Sequence, residues 1–95
     1  MDLLLAYDVA TTTPAGQRRL RRVAKICEGF GVRVQKSVFE LVLDAHEVPL
    51  LLHRLSQAID RSEDNIRMYR LDGKAPVARL GTEAVISTTR GPLIL

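Results

Sequence analysis

Cysteine is almost missing from this 95-residue chain, and tryptophan is missing altogether. The single Cys27 excludes an internal disulfide framework, fits a reducing compartment and leaves no cysteine–histidine set for a zinc site. Aromatic side chains are limited to Tyr7, Phe30, Phe39 and Tyr69, too few for a base-stacking surface, so sequence readout of nucleic-acid bases is not expected. No apolar run approaches the roughly 20 residues of a membrane span. The opening Met1-Asp2-Leu3-Leu4-Leu5 lacks the basic start and long apolar core of a signal peptide, so a cytoplasmic protein with no membrane partner is expected. There is no nucleophile elbow, no glycine-rich phosphate loop and no internal repeat. His46 and His53 stand two helical turns apart, about 10 Å, too far to share one ion, and both read as surface residues.

What is present bounds the rest. The length allows one modest core, hence one domain over residues 1–95, with 82–95 as a C-terminal tail. Apolar residues at 46% exclude a disordered chain. A domain this small is marginal alone, which favours self-association. The net charge of +3 and a pI near 9.5 favour anionic partners, although many soluble domains carry the same excess.

Residues 3–9 form a short, nearly continuous apolar run, read as a strand with faces Leu3, Leu5, Tyr7 and Leu4, Ala6, Asp8. Apolarity on both faces implies that both are covered. Thr13 suits an N-cap and Pro14 the first helical position, opening a helix over 14–28 whose inward stripe is Leu20, Val23, Ala24 and Cys27. Gly29 and Gly31 end it around Phe30. A short strand over 32–34 and a longer one over 38–43 flank a turn at 35–37. Asp44 with Glu47 is a capping-box pattern for a second helix with stripe Val48, Leu51, Leu52, Leu55 and Ile59. Residues 60–64 read as a polar, acidic loop, 65–71 as a strand, and 77–80 and 83–87 as weak strands.

The order strand-helix-strand-strand-helix-strand, with right-handed crossovers, predicts an α+β, ferredoxin-like βαββαβ sandwich with an extra C-terminal strand or tail. Two helices then cover one sheet face, while the first strand is apolar on both. A second copy is the simplest cover, so a homodimer closed through the sheet face is expected.

Two features carry chemistry. Asp8 ends the first strand; an aspartate there is either a turn former or, if paired by symmetry with a second carboxylate, part of a magnesium site. Arg18, Arg19, Arg21, Arg22 and Lys25 crowd the first helix, four arginines in five positions. The bland reading is a solvated face. The sharper one is phosphate binding, because the guanidinium fork matches phosphate geometry. Cys27 reads as core and Ser37 as a turn hydroxyl.

The segments ending Tyr7-Asp8-Val9, the helix from Pro14 to Lys25, the stretch Val34-Gln35-Lys36-Ser37-Val38-Phe39-Glu40 and the strand Arg67-Met68-Tyr69-Arg70-Leu71 together resemble the CRISPR-associated protein two family. The resemblance covers roughly residues 1 to 80. It implies a ferredoxin-like homodimer, DNA or RNA as ligand, metal-dependent nuclease activity, and an adaptor role for the CRISPR integrase in spacer acquisition. It places the magnesium ligand and catalytic carboxylate at Asp8 and activity or phosphate contacts near Arg18, Arg19 and Arg33, to which the charge of the helix face adds Arg21, Arg22 and Lys25 as expected nucleic-acid contacts. Tyr7, Ser37 and Phe39 stand beside that site in supporting positions. Two other readings stay open: a DNA-binding scaffold without chemistry, and a ferredoxin-like small-molecule regulatory domain.

Overall fold

The structure, a computed structural model, describes residues 1–71 and 76–82. Its elements are β1 (Asp2–Asp8), α1 (Pro14–Glu28), β2 (Gly31–Gln35), β3 (Val38–Val42), α2 (Glu47–Ala58), β4 (Asn65–Arg70) and β5 (Pro76–Gly81). The sheet runs β2-β3-β1-β4-β5, every neighbouring pair antiparallel. This is the expected ferredoxin-like arrangement, extended at the β4 edge by the weakly signalled strand. The second weak strand, over 83–87, and the tail beyond Thr82 lie outside the described residues.

β1 is central because its odd residues supply the core. Leu3, Leu5 and Tyr7 pack with Val23 and Cys27 of α1 and with Leu51, Leu55 and Ala58 of α2. Each stripe read from helical spacing turns inward, with Leu20, Ala24, Val48, Leu52 and Ile59 partly buried at its margins.

The second sheet face differs from expectation. Leu4 and Val38 are already buried within one chain. Leu4 lies opposite Glu40 and Tyr69, and Ala6 opposite Val38 and Arg67, whose longer side chains are within reach of the small apolar ones. What stays open on that face is Val42, 77% exposed, and Val32, 69% exposed. Nearby, Nε and Nη2 of Arg67 are buried without a partner among the described residues, and its cross-strand neighbour is another arginine, Arg79.

Local chemistry sets the helix ends. The Thr13 hydroxyl accepts from the Gly16 amide at 3.0 Å, and Pro14 follows as anticipated. Gly16 cannot be larger, since a Cβ there would run into the Ala10 carbonyl oxygen. In α2 the capping pattern acts two residues early. Glu47 Oε1 accepts from the Asp44 amide at 2.8 Å, but His46 is the N-cap and contributes no side-chain bond. Pro49 falls in the first turn, where no amide is needed.

The loop read as merely acidic is the main correction. Asp64, which precedes β4, is completely buried. Its Oδ1 accepts from the Ala10 amide at 3.0 Å, and its Oδ2 from Arg19 Nε and the Asp60 amide, both at 2.8 Å. Its own carbonyl accepts from the Thr82 amide at 2.9 Å. Gly81, at φ +90°, is needed there because any Cβ would collide with that carbonyl. Burial pushes the Asp64 carboxyl up, but Arg19 and the two amides outweigh it and hold the group below its ordinary 3.8.

A depressed carboxyl stabilises the fold fully above its ordinary value, and that contribution is lost as pH falls through the lower, folded value. Asp64→Ala is expected to destabilise the domain by about 3 kcal/mol, because it strands a cationic partner and two amides. Thermal melts followed by circular dichroism check this. Asp64→Asn should also lose part of the wild-type decline in stability at pH values below that ordinary 3.8.

Candidate functional site

Asp8 occupies the last position of β1 and is exposed, and its carboxylate makes no hydrogen bond or ion pair among the described residues. The sheet places it opposite Asn65, and the β2–β3 turn comes to its other side. That turn is tied down by Tyr7, whose amide donates to the Ser37 carbonyl at 3.1 Å and whose hydroxyl donates to the Lys36 carbonyl at 3.3 Å. Burial pushes the Tyr7 phenol up, so it stays protonated and remains a donor. Its ring lies 6.1 Å from that of Phe39, which is fully buried, and the Arg33 guanidinium sits 5.3 Å above the same Phe39 ring. Arg33 also reaches Glu28 at 3.5 Å, with both side chains substantially exposed, so this pair is weak and easily exchanged.

These contacts shape an open cleft of about 430 Å³. Tyr7, Val9, Leu20 and Ala24 give it an apolar floor, while Asp8, Arg21, Arg33, Lys36 and Ser37 form its polar part. Three cations around one carboxylate make a site for an anion rather than for a bare cation. Among the described residues no three acidic, histidine or cysteine side chains converge on an ion position. Magnesium is normally held by one or two carboxylates together with water and phosphate oxygens. A single Asp8 therefore fits magnesium as half of a site that a second copy and a phosphate would complete.

The helix arginines do not act as one group. Arg21 reaches the cleft, whereas Arg18, Arg22 and Lys25 are exposed away from it. Arg19 turns to the opposite flank, with Nε 2.8 Å from Asp64 and Nη2 3.8 Å from Glu63. Asp64 raises the affinity of Arg19 for its proton, mainly through their hydrogen bond. Its first engagement is thus with the fold. Cys27 is buried and its thiol is pushed up to about 12 by desolvation, which leaves no reactive thiolate. His46 and His53 are exposed, as read from the sequence.

Two residues of the site were missed by sequence reasoning. Lys36 stood in plain view between Gln35 and Ser37, and the signal was topological: a hairpin leading into β3 must end beside the exit of β1. Asp64 was hidden by its neighbours Asp60 and Glu63, which made one buried acid look like part of a solvated loop.

Known proteins resemble this chain in sequence and backbone. The family model described as CRISPR associated protein Cas2 matches residues 1–76. The CRISPR-associated endoribonuclease Cas2 1 of Moorella thermoacetica is 52% identical over 71 residues, covering 75% of this chain and 74% of its own length. The CRISPR-associated endonuclease Cas2 of Halalkalibacterium halodurans is 41% identical over 96 residues, covering 99% of each. Among solved structures, Streptococcus pyogenes Cas2, crystallised at pH 6.5, matches with a TM-score of 0.71 and 52% identity over 75% of this chain and 86% of that one. A match of this breadth in sequence and backbone settles membership: the chain belongs to the CRISPR associated protein Cas2 family.

Proposed function

We propose that this protein is a cytoplasmic homodimer that binds nucleic acid in CRISPR spacer acquisition and serves as an adaptor for the CRISPR integrase. In this reading it also carries magnesium-dependent endonuclease activity where two copies of Asp8 meet. The observation that supports it most is the cleft in which Asp8 lies among Arg21, Arg33 and Lys36. The names of the relatives from M. thermoacetica and H. halodurans, an endoribonuclease and an endonuclease, point the same way. Among the described residues no helix is long and apolar enough to cross a membrane.

The residues divide the work by chemistry. Arg21 and Arg33 present planar forks to phosphate oxygens, and stacking on Phe39 limits how far Arg33 can swing. Lys36 adds a compact charge from the turn that Tyr7 anchors. Arg18, Arg22 and Lys25, on the exposed side of α1, extend the positive surface along a phosphate backbone without reading sequence. Magnesium, when bound by Asp8, would neutralise charge on the phosphate and acidify a bound water. Asp8 and a second copy of it supply the carboxylates. The open sheet face favours that pairing: a partner copy would cover Val32 and Val42 and bring the acidic Glu40 to the side of the sheet that holds Arg67.

The second reading, a scaffold without chemistry, is favoured by the presence of only one carboxylate in the cleft among the described residues. Asp8→Asn separates the two. The nuclease reading expects magnesium-dependent cleavage to fall roughly 100-fold or more while dimer and nucleic-acid affinity persist; unchanged cleavage, or no cleavage in the parent protein, leaves the scaffold. Nucleic-acid affinity should weaken steeply with salt. Arg21→Gln and Arg33→Gln should each flatten the log–log slope by about 1, as measured by fluorescence anisotropy. Light scattering at micromolar concentration should return twice the chain mass, and a clean monomer would contradict the dimer.

A further inference from the structure

The acid that matters most to the cleft without entering it is Asp64. It has no exposed surface, so it cannot touch nucleic acid or a metal ion. Yet it grips the chain on both sides of the site. Through Oδ1 it holds the amide of Ala10, two residues after Asp8, and so fixes the direction in which the chain leaves β1. Through Oδ2 it holds Nε of Arg19 and so adds a polar clamp to the rotation of α1 that the buried Val23 and Cys27 stripe sets. Residues two apart on a helix point about 200° from each other. Seating Arg19 against Asp64 therefore turns Arg21 away to the far flank, where it meets the cleft.

The neighbouring contacts make this grip stiff. The Asp60 amide donates to the same carboxylate, and the Asp64 carbonyl accepts from Thr82 at the end of β5. Gly16 lets the first turn of α1 lie directly against Ala10, so the β1–α1 loop is held from two sides. Asn65, the next residue, pairs with Asp8 in the sheet. The backbone that carries the buried acid is thus the backbone that flanks the exposed one.

We propose that Asp64 is a positioning residue for the candidate site, setting the placement of Asp8 through Ala10 and that of Arg21 through Arg19. The inference rests on the reading of Asp8 as a metal-holding carboxylate, and it assigns Arg19 an indirect role. Arg19 serves the site by orienting its helix.

The test uses the full-length protein and manganese alone as the probe ion, with affinity read by electron paramagnetic resonance and the Ala10 amide followed by hydrogen exchange in NMR spectra. Asp64→Asn preserves shape and removes the charge. It is expected to speed exchange at Ala10 at least ~10-fold and to weaken Asp8-dependent manganese binding by a similar factor, at a temperature where circular dichroism shows the fold intact. Nucleic-acid affinity carried by Arg18, Arg22 and Lys25 should persist. Arg19→Gln is measured beside it, because it leaves both amide bonds to Asp64 in place and guards against a variant that fails to fold. Arg21 is a cation and no metal ligand, so Arg19→Gln should leave manganese binding at wild-type strength and, through the helix arm, flatten the log–log salt slope of nucleic-acid binding by about 1. A manganese site that Asp8→Asn abolishes but that stays at wild-type strength in the folded Asp64 variant, with the salt slope unchanged in the Arg19 variant, overturns this inference and leaves the metal reading standing. Manganese binding indifferent to Asp8→Asn overturns both.

Discussion

One buried carboxylate joins the parts of this domain that would otherwise be independent. Asp64 accepts hydrogen bonds from the loop after β1, from the first helix and from its own loop. Its backbone is bonded to the end of β5. A charge taken out of water is costly unless its lone pairs are filled, and here they are filled by donors from separate segments. The consequence is geometric as much as energetic. Moving any one of those segments leaves the acid short of a partner, so the strand exit, the helix rotation and the α2–β4 loop are set together.

That constraint explains how a run of arginines comes to have several occupations. Arg19 and Arg21 stand two positions apart on the helix and therefore point to opposite flanks, with Arg18 and Arg22 between them. With Arg19 seated on Asp64, Arg21 is left to the cleft, while Arg18 and Arg22 stay in solvent. The cleft then draws its other charges from the β2–β3 hairpin, where Tyr7 ties down the turn and Phe39 supports Arg33. An exposed acid that shares its cleft with three cations holds a divalent ion only weakly by itself. It is better suited to a ligand that brings its own negative charge, and a phosphodiester backbone does so.

Much of the fold could be read from the chain because its signals were local. The Thr13-Pro14 start, the inward stripe ending at Cys27 and the apolar 3–9 run each have one favourable outcome, and α1 spans the residues that its caps and spacing indicated. The topology followed from element order. What escaped were facts that depend on distant parts of the chain. Asp64 is separated from Ala10 by 54 positions and from Arg19 by 45, so no window of sequence shows that it is buried. The same holds for Leu4, which looked as though it required a second molecule but is already buried within one chain. The proposed pairing draws its support from a different part of that face: the bare Val32 and Val42, and the Arg67 donors left without acceptors among the described residues.

The central claim is that phosphate and divalent ion meet at the end of β1, between two copies of the chain. Crystals grown with manganese and a short duplex, measured at a wavelength where manganese scatters anomalously, test it most directly. The account predicts an anomalous peak bonded to Asp8 carboxylates from two chains, with backbone phosphates against Arg21 and Arg33. Aspartates far apart in unrelated directions, with the duplex bound elsewhere, would contradict it.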